Sequence, residues 1–184
     1  MSLKLFRSSQ AAPERAARRL FEAAVSQARE PRFYQDWRVP DTIDGRFELL
    51  SLHVYLLLRR LKREGEAGGE VGQALVDLMF ATMDESLREM GAGDLGVGKR
   101  VKQMASAFYG RVAAYESGLS GASEVLEEAL GRNLFGTVES SLDERRGMAA
   151  YVQDSARRLE DQKGAAVLGG EVRFAPPASR RDRS

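Results

Sequence analysis

Apolar residues recur along this chain at intervals of three and four, and that period predicts helices over most of its length. Pro13 suits the first turn of a helix, followed by the stripe Leu20, Phe21, Ala24, Val25 and Ala28 and a stop near Pro31. The stretch before it, with Leu3, Leu5, Phe6, Lys4 and Arg7, is expected to be disordered, the alternative being a segment lying on a membrane surface. Residues 31–45 read as an irregular loop, with Pro31, Pro40 and a turn at Asp44-Gly45. Phe33, Tyr34 and Trp37 within it are expected to pin it to a core.

A second helix is predicted from Arg46 to Glu64. Phe47, Leu50, Val54, Leu57, Leu58 and Leu61 form its stripe, and Leu49, Leu52, Tyr55 and Leu56 extend the apolar surface almost all round. Such a helix belongs at the centre of a bundle. A loop is expected over the glycine-rich Gly65 to Gly69. A third helix is predicted over 70–90, with Val71, Leu75, Leu78, Met79, Met83, Leu87 and Met90 inward and an acidic outer face. After a turn at Gly91 to Gly98, a fourth runs over 97–119 on Val101, Met104, Ala105, Phe108, Val112, Tyr115 and Leu119. Ser123 is the expected cap of a fifth. A sixth spans 142–162 with a thin face of Ala149, Val152, Ala156 and Leu159, so loose packing is expected. The pattern thus predicts an all-α, single-domain bundle of about six helices over residues 1–164. A flexible C-terminal tail, residues 165–184, follows, in which Val172 to Phe174 is expected to fray rather than pair as a strand.

Composition narrows the function classes. With 43% hydrophobic and 30% charged residues the chain is globular rather than disordered. It has no cysteine and one histidine, which excludes disulfides, thiol catalysis and Cys- or His-rich metal sites. The net charge of +1 leaves no global footprint for DNA. The longest uncharged apolar run, Leu49 to Leu58, is ten residues, against the roughly 20 needed to span a bilayer. No secretory leader is readable, and Glu14 and Glu22 interrupt the arginines that would suggest a presequence. Charge is nonetheless uneven: basic residues prevail over 1–29 and 96–119, acidic ones over 70–95. The favoured reading is solvated helix faces; a basic surface for anionic lipid or ribosomal RNA is the alternative.

Two motifs invite sharper readings. Gly91 to Gly96 spells GxGxxG, and Gly93 to Lys99 spells GxxxxGK. Either cradles phosphate only after a strand, and the residues before them read as a helix. The second also has Arg100 where a magnesium-binding hydroxyl is needed. A helix end, a turn and a new start, with Asp94 favouring the new N-terminus, account for the glycines. His53 and Ser51, two apart, point to different sides of a helix and form no nucleophile–base pair; His53 reads as a core or interface histidine. No cofactor, metal or catalytic group is therefore expected.

Specific short pieces change the picture. They are Val39-Pro-Asp41-Thr, Gly45-Arg46-Phe47-Glu48, Leu52-His53, Met83-Asp84, Leu87-Arg88-Glu89-Met90-Gly91, Asp94-Leu95 and Phe108-Tyr109-Gly110-Arg111. In order and spacing, residues 33–119 resemble the ubiquinol–cytochrome c chaperone family; the flanks carry no comparable signature. The resemblance implies an all-helical, non-catalytic assembly factor of the cytochrome bc complex that binds newly made cytochrome b. It also implies action near the ribosomal exit tunnel, a small partner protein and peripheral contact with a membrane. The short chain looks like a bacterial member, on the cytoplasmic face of the inner membrane. Asp41, Arg46, His53, Asp84, Arg88, Met90, Asp94, Lys99, Tyr109 and Arg111 are the candidates for its client surface, with some expected to form internal ion pairs that fix loop 31–45. Methionines on the third and fourth helices suit adaptable apolar contact. The rival readings are a ribosome- or RNA-binding adaptor and a nucleotide-dependent enzyme using the 91–99 turn.

Overall fold

The computed structural model describes residues 3–89 and 94–178, with side chains from Ala12 to Glu89 and from Gly96 to Ala178. Its elements are α1 (Leu3–Ala28), α2 (Pro31–Gln35), α3 (Ile43–Leu61), a 3₁₀ turn (Lys62–Glu64), α4 (Gly65–Glu89), α5 (Asp94–Ser120), α6 (Ser123–Asn133), α7 (Leu142–Glu160) and α8 (Gly164–Leu168). Among the described residues there is no strand.

α3 is the central helix. Leu49, Leu52, Val54, Tyr55, Leu56, Leu57 and Leu61 are buried on all its sides, and α1, α4, α5 and α7 surround it. Thr42 caps its start, its hydroxyl accepting from the Gly45 amide at 3.1 Å. The expected turn at Asp44-Gly45 is therefore the first turn of this helix. At the other end Arg60 is nearly buried and donates to the Leu159 and Gln162 carbonyls at 2.8 Å each, and to Glu64 at 2.5 Å. One guanidinium thus satisfies the C-terminal carbonyls of α7 and ties two helix ends together.

Several expectations needed correction. α1 is helical from Leu3, with Pro13 inside it rather than at its start, and from Ala16 onward Ala16, Ala17, Leu20 and Ala24 bury a continuous stripe against α3 and α4. The glycine-rich 65–69 is the first turn of α4, not a loop. Gly68 and Gly72, one turn apart, are buried against α3, where Gly72 lies beside Leu58. Tertiary packing here overrides helix propensity. The chain turns at Gly65 alone, with φ at +61°, a conformation glycine adopts without cost. Ser123 is the first residue of α6 and caps nothing; Ala122 precedes it with no side-chain cap. Ser141 and Glu144 instead form a reciprocal capping box on α7.

α7 departs furthest from its thin pattern. Gly147, Met148, Ala149, Tyr151, Val152, Ser155, Ala156 and Leu159 are all buried. Its small residues admit close neighbours: a Cβ at Gly147 would lie 1.9 Å from the Trp37 ring. The segment expected to be an irregular loop over 31–45 is helix α2 over Pro31–Gln35, with Pro31 at its first position, then a loop over 36–42 and the start of α3. Phe33, Trp37 and Val39 are buried, so it is pinned as expected. The chain beyond Gly164 forms α8 and then an extended strap over 171–178, which lies across α1, α2 and α7 with Phe174, Ala175 and Pro177 buried.

Candidate functional site

The open apolar surface of this bundle is a groove of about 710 Å³ between the end of α1, α2, the start of α3, and the facing parts of α4 and α5. Phe21, Val25, Ala28, Phe47 and Leu50 form its floor, and Met83, Leu87 and Met104 its far wall. It exists because the apolar stripes of α4 and α5 are only partly covered. On α5, Phe108 and Tyr115 are fully buried, whereas Val101, Met104 and Ala105 are half-buried. On α4, Leu75 and Met79 are fully buried, whereas Met83 is not. Ile43 stands at the mouth, 56% exposed.

Asp41 and Arg46 line the rim and hold each other at 2.7 Å, closing loop 36–42 onto the start of α3. The Arg46 hydrogen bond keeps the Asp41 carboxyl below its ordinary range. Tyr34, also on the rim, donates to the Ala28 carbonyl at 2.8 Å. A lining of apolar and thioether groups with a polar edge provides area and shape for an apolar segment, and supplies no nucleophile beside a base.

The candidate residues separate into distinct places. Asp41 and Arg46 are at the groove. Asp84 and Arg88 pair at 2.6 Å on the outer side of α4. Lys99 and Tyr109 are exposed on α5, Tyr109 by 57%. α5 begins at Asp94, as the helix-start reading requires, though its side chain lies outside the described residues, as does all of Met90. Gly110, beside Tyr109 on α5, has open space around it.

Two candidates are not surface residues. Arg111 is largely buried and forks onto both carboxylate oxygens of Glu48, joining α5 to α3, with its guanidinium over the Phe47 ring. Burial raises the Glu48 carboxyl, and the Arg111 hydrogen bonds offset that only in part. His53 is 0% exposed. Its Nδ1 lies 2.7 Å from the Leu49 carbonyl and its Nε2 2.7 Å from the Tyr151 hydroxyl. A carbonyl only accepts, so Nδ1 carries the proton and Nε2 accepts from Tyr151. Gln27 donates in turn to Tyr151 at 3.1 Å, and Phe33 and Phe174 set their edges against the imidazole. Burial lowers the His53 pKa to about 4. Both nitrogens are in use, so His53 knits α3, α7 and α1 together and offers nothing to a client. The burial of His53 agrees with its reading as a core histidine and not with its place on a client surface. The partners that hold His53 and Arg111, Tyr151 and Glu48, are 98 and 63 residues away in sequence, beyond any local pattern.

Of the glycine motifs of 91–99, residues 94–99 belong to α5, where Gly96 and Gly98 have open space around them, and residues 91–93 lie outside the described residues. The strand that a phosphate loop needs is replaced by α4. Among the described residues no three carboxylate or histidine groups converge as metal ligands, and no helix is long and apolar enough to cross a membrane.

Known proteins resemble the chain over this whole architecture. The chain is 26% identical to the ubiquinol-cytochrome-c reductase complex assembly factor 1 of Xenopus laevis, over 88% of its length and 81% of that protein. It is 27% identical to the mouse protein of the same name, of which it spans 55%. The crystal structure of the Cbp3 homolog from Brucella abortus superposes with a TM-score of 0.83 at 39% identity, covering 96% of this chain and 97% of that one. The family model described as ubiquinol-cytochrome C chaperone matches residues 35–174. The likeness therefore continues past residue 119, where the readable motifs stop, through α6, α7 and the strap as far as Phe174. By that match, covering most of its length, the chain belongs to the ubiquinol-cytochrome C chaperone family.

Proposed function

We propose that this chain is a non-catalytic assembly chaperone that binds newly made cytochrome b and promotes assembly of ubiquinol–cytochrome c reductase. The names of its relatives support the assembly role. The observation that carries the client-binding part is the methionine-bearing apolar groove between α1, α3, α4 and α5. A newly made membrane protein presents apolar helices that have no partner yet, and such a surface accepts them without demanding one shape. Asp41 and Arg46 hold the rim in register, and Asp84, Arg88, Lys99 and Tyr109, elsewhere on α4 and α5, are candidates for further contact with the client. The protein works as a peripheral factor at the cytoplasmic face of a bacterial inner membrane, where the client emerges.

The test is photo-crosslinking in respiring cells, with the reactive group placed at Ile43 or Met104 in the groove and at Val138, an exposed position away from it. Cytochrome b crosslinked from Ile43 and Met104 but not from Val138 supports the reading. Crosslinks to other subunits of the complex, without cytochrome b, leave an assembly factor and remove the stated client. Crosslinks to ribosomal proteins alone favour an adaptor.

A further inference from the structure

The strap at the end of the chain is held in an unusual way. Residues 171–178 form neither helix nor strand, yet five side chains from outside the strap bind its main chain. Gln162 pairs in both directions with Arg173, donating to its carbonyl and accepting from its amide at 2.8 Å each. Ser155 accepts from the Ala175 amide at 3.2 Å, and Gln27 donates to the Ala175 carbonyl at 3.1 Å. Arg32 donates to the Pro177 carbonyl at 3.1 Å, and the Trp37 indole N–H to the Ala178 carbonyl at 3.0 Å. Among the strap's side chains Phe174 lies 5.0 Å edge-on to His53, and Ala175 and Pro177 are buried as well.

We propose that this groove between α1, α2 and α7 is a recognition site for an extended, proline-containing segment. The chain's own residues 173–178 occupy it as an intramolecular ligand, and a partner protein's segment of the same chemistry, an aromatic residue followed two places on by Pro-Pro, enters when they leave. Three features support it. Main-chain hydrogen bonds tolerate different sequences, and proline-bearing segments dock against aromatic-lined grooves with little conformational entropy to lose. The residues that grip the strap also have contacts outside it: Trp37 is seated on Gly147, and Gln27 donates to Tyr151, which in turn donates to His53. The strap also leaves room, because a cavity of about 670 Å³ runs alongside it, lined by Gln27, Arg32, Arg158 and Pro176 among others.

The test uses the full chain and a synthetic peptide of residues 170–178, titrated against Trp37 fluorescence, the single tryptophan reporting directly on the site. A tethered strap competes at roughly millimolar effective concentration. Loosening it by Phe174→Ala therefore strengthens apparent peptide affinity at least tenfold over wild type. A peptide carrying alanine in place of the phenylalanine does not bind either protein. Gln162→Ala, which removes only the grip on Arg173 at the exposed edge, gives a smaller gain in the same direction and serves if Phe174→Ala does not fold. Equal peptide affinity for wild type and variants, or no binding to any of them, overturns the proposal.

Discussion

Acidification is the perturbation that isolates the centre of this fold. His53 is sealed in the core as the neutral imidazole, with its pKa lowered to about 4 by burial. In the unfolded chain the same group titrates near 6.5. Between these values the unfolded state binds a proton that the folded state refuses, so stability falls as pH falls through that window. Each factor of ten in proton affinity is worth about 1.4 kcal/mol. The loss between pH 7.5 and 4.5 is therefore about 2.5 kcal/mol, a large part of the 5–15 kcal/mol typical of a domain. Urea unfolding followed by Trp37 fluorescence at several pH values gives the curve, with His53→Gln as the reference. The variant is weaker at neutral pH because it disturbs Tyr151, and its curve lacks the His53 slope. Other groups cancel in the difference. Glu48, whose carboxyl is raised, contributes stability that is present below its ordinary range and lost as pH rises; Asp41, which is lowered, contributes stability lost only below about pH 4. Parallel curves for the two proteins would refute the reasoning. So would titration of the single imidazole resonance near 6.5 in the folded protein.

Three further outcomes follow from particular contacts. Gly147→Ala forces a methyl into the Trp37 ring and lowers stability by about 1–3 kcal/mol with a red-shifted Trp37 emission, measured by urea unfolding. Arg111→Ala leaves the Glu48 carboxylate buried without its partner and costs about 3 kcal/mol in the same assay, whereas Glu48→Gln combined with Arg111→Met recovers most of it. Ile43→Asp, at an exposed position on the groove mouth, changes stability by less than about 0.5 kcal/mol while reducing cytochrome b captured from membranes severalfold, measured by quantitative mass spectrometry; unchanged capture counts against the groove.

Helix identity was legible in the sequence because a 3.6-residue period is a local property. The all-round apolar 46–64 marked its own helix as the centre, and the aromatics of loop 31–45 announced that it was pinned. The motifs of 33–119 were legible because each is a short local run; in the structure some lie at the groove, as Asp41 and Arg46 do, and others form contacts of the fold, such as Gly45 against Pro40 and Glu48 against Arg111.

What the tertiary structure alone decided depends on distance along the chain. Gly68 looks like a loop residue until α3 lies against it, when its lack of a side chain permits the contact. The stripe of α7 looks thin because its small residues are filled out by Trp37 and Phe33 from another part of the chain. The strap's anchors, Gln27, Arg32 and Trp37, precede it by more than 140 residues, so no window of sequence holds both halves. The groove is decided in the same way. Periodicity shows that Met83 and Met104 lie on apolar stripes, but only the packing of the helices against one another determines which part of a stripe is covered and which stays open.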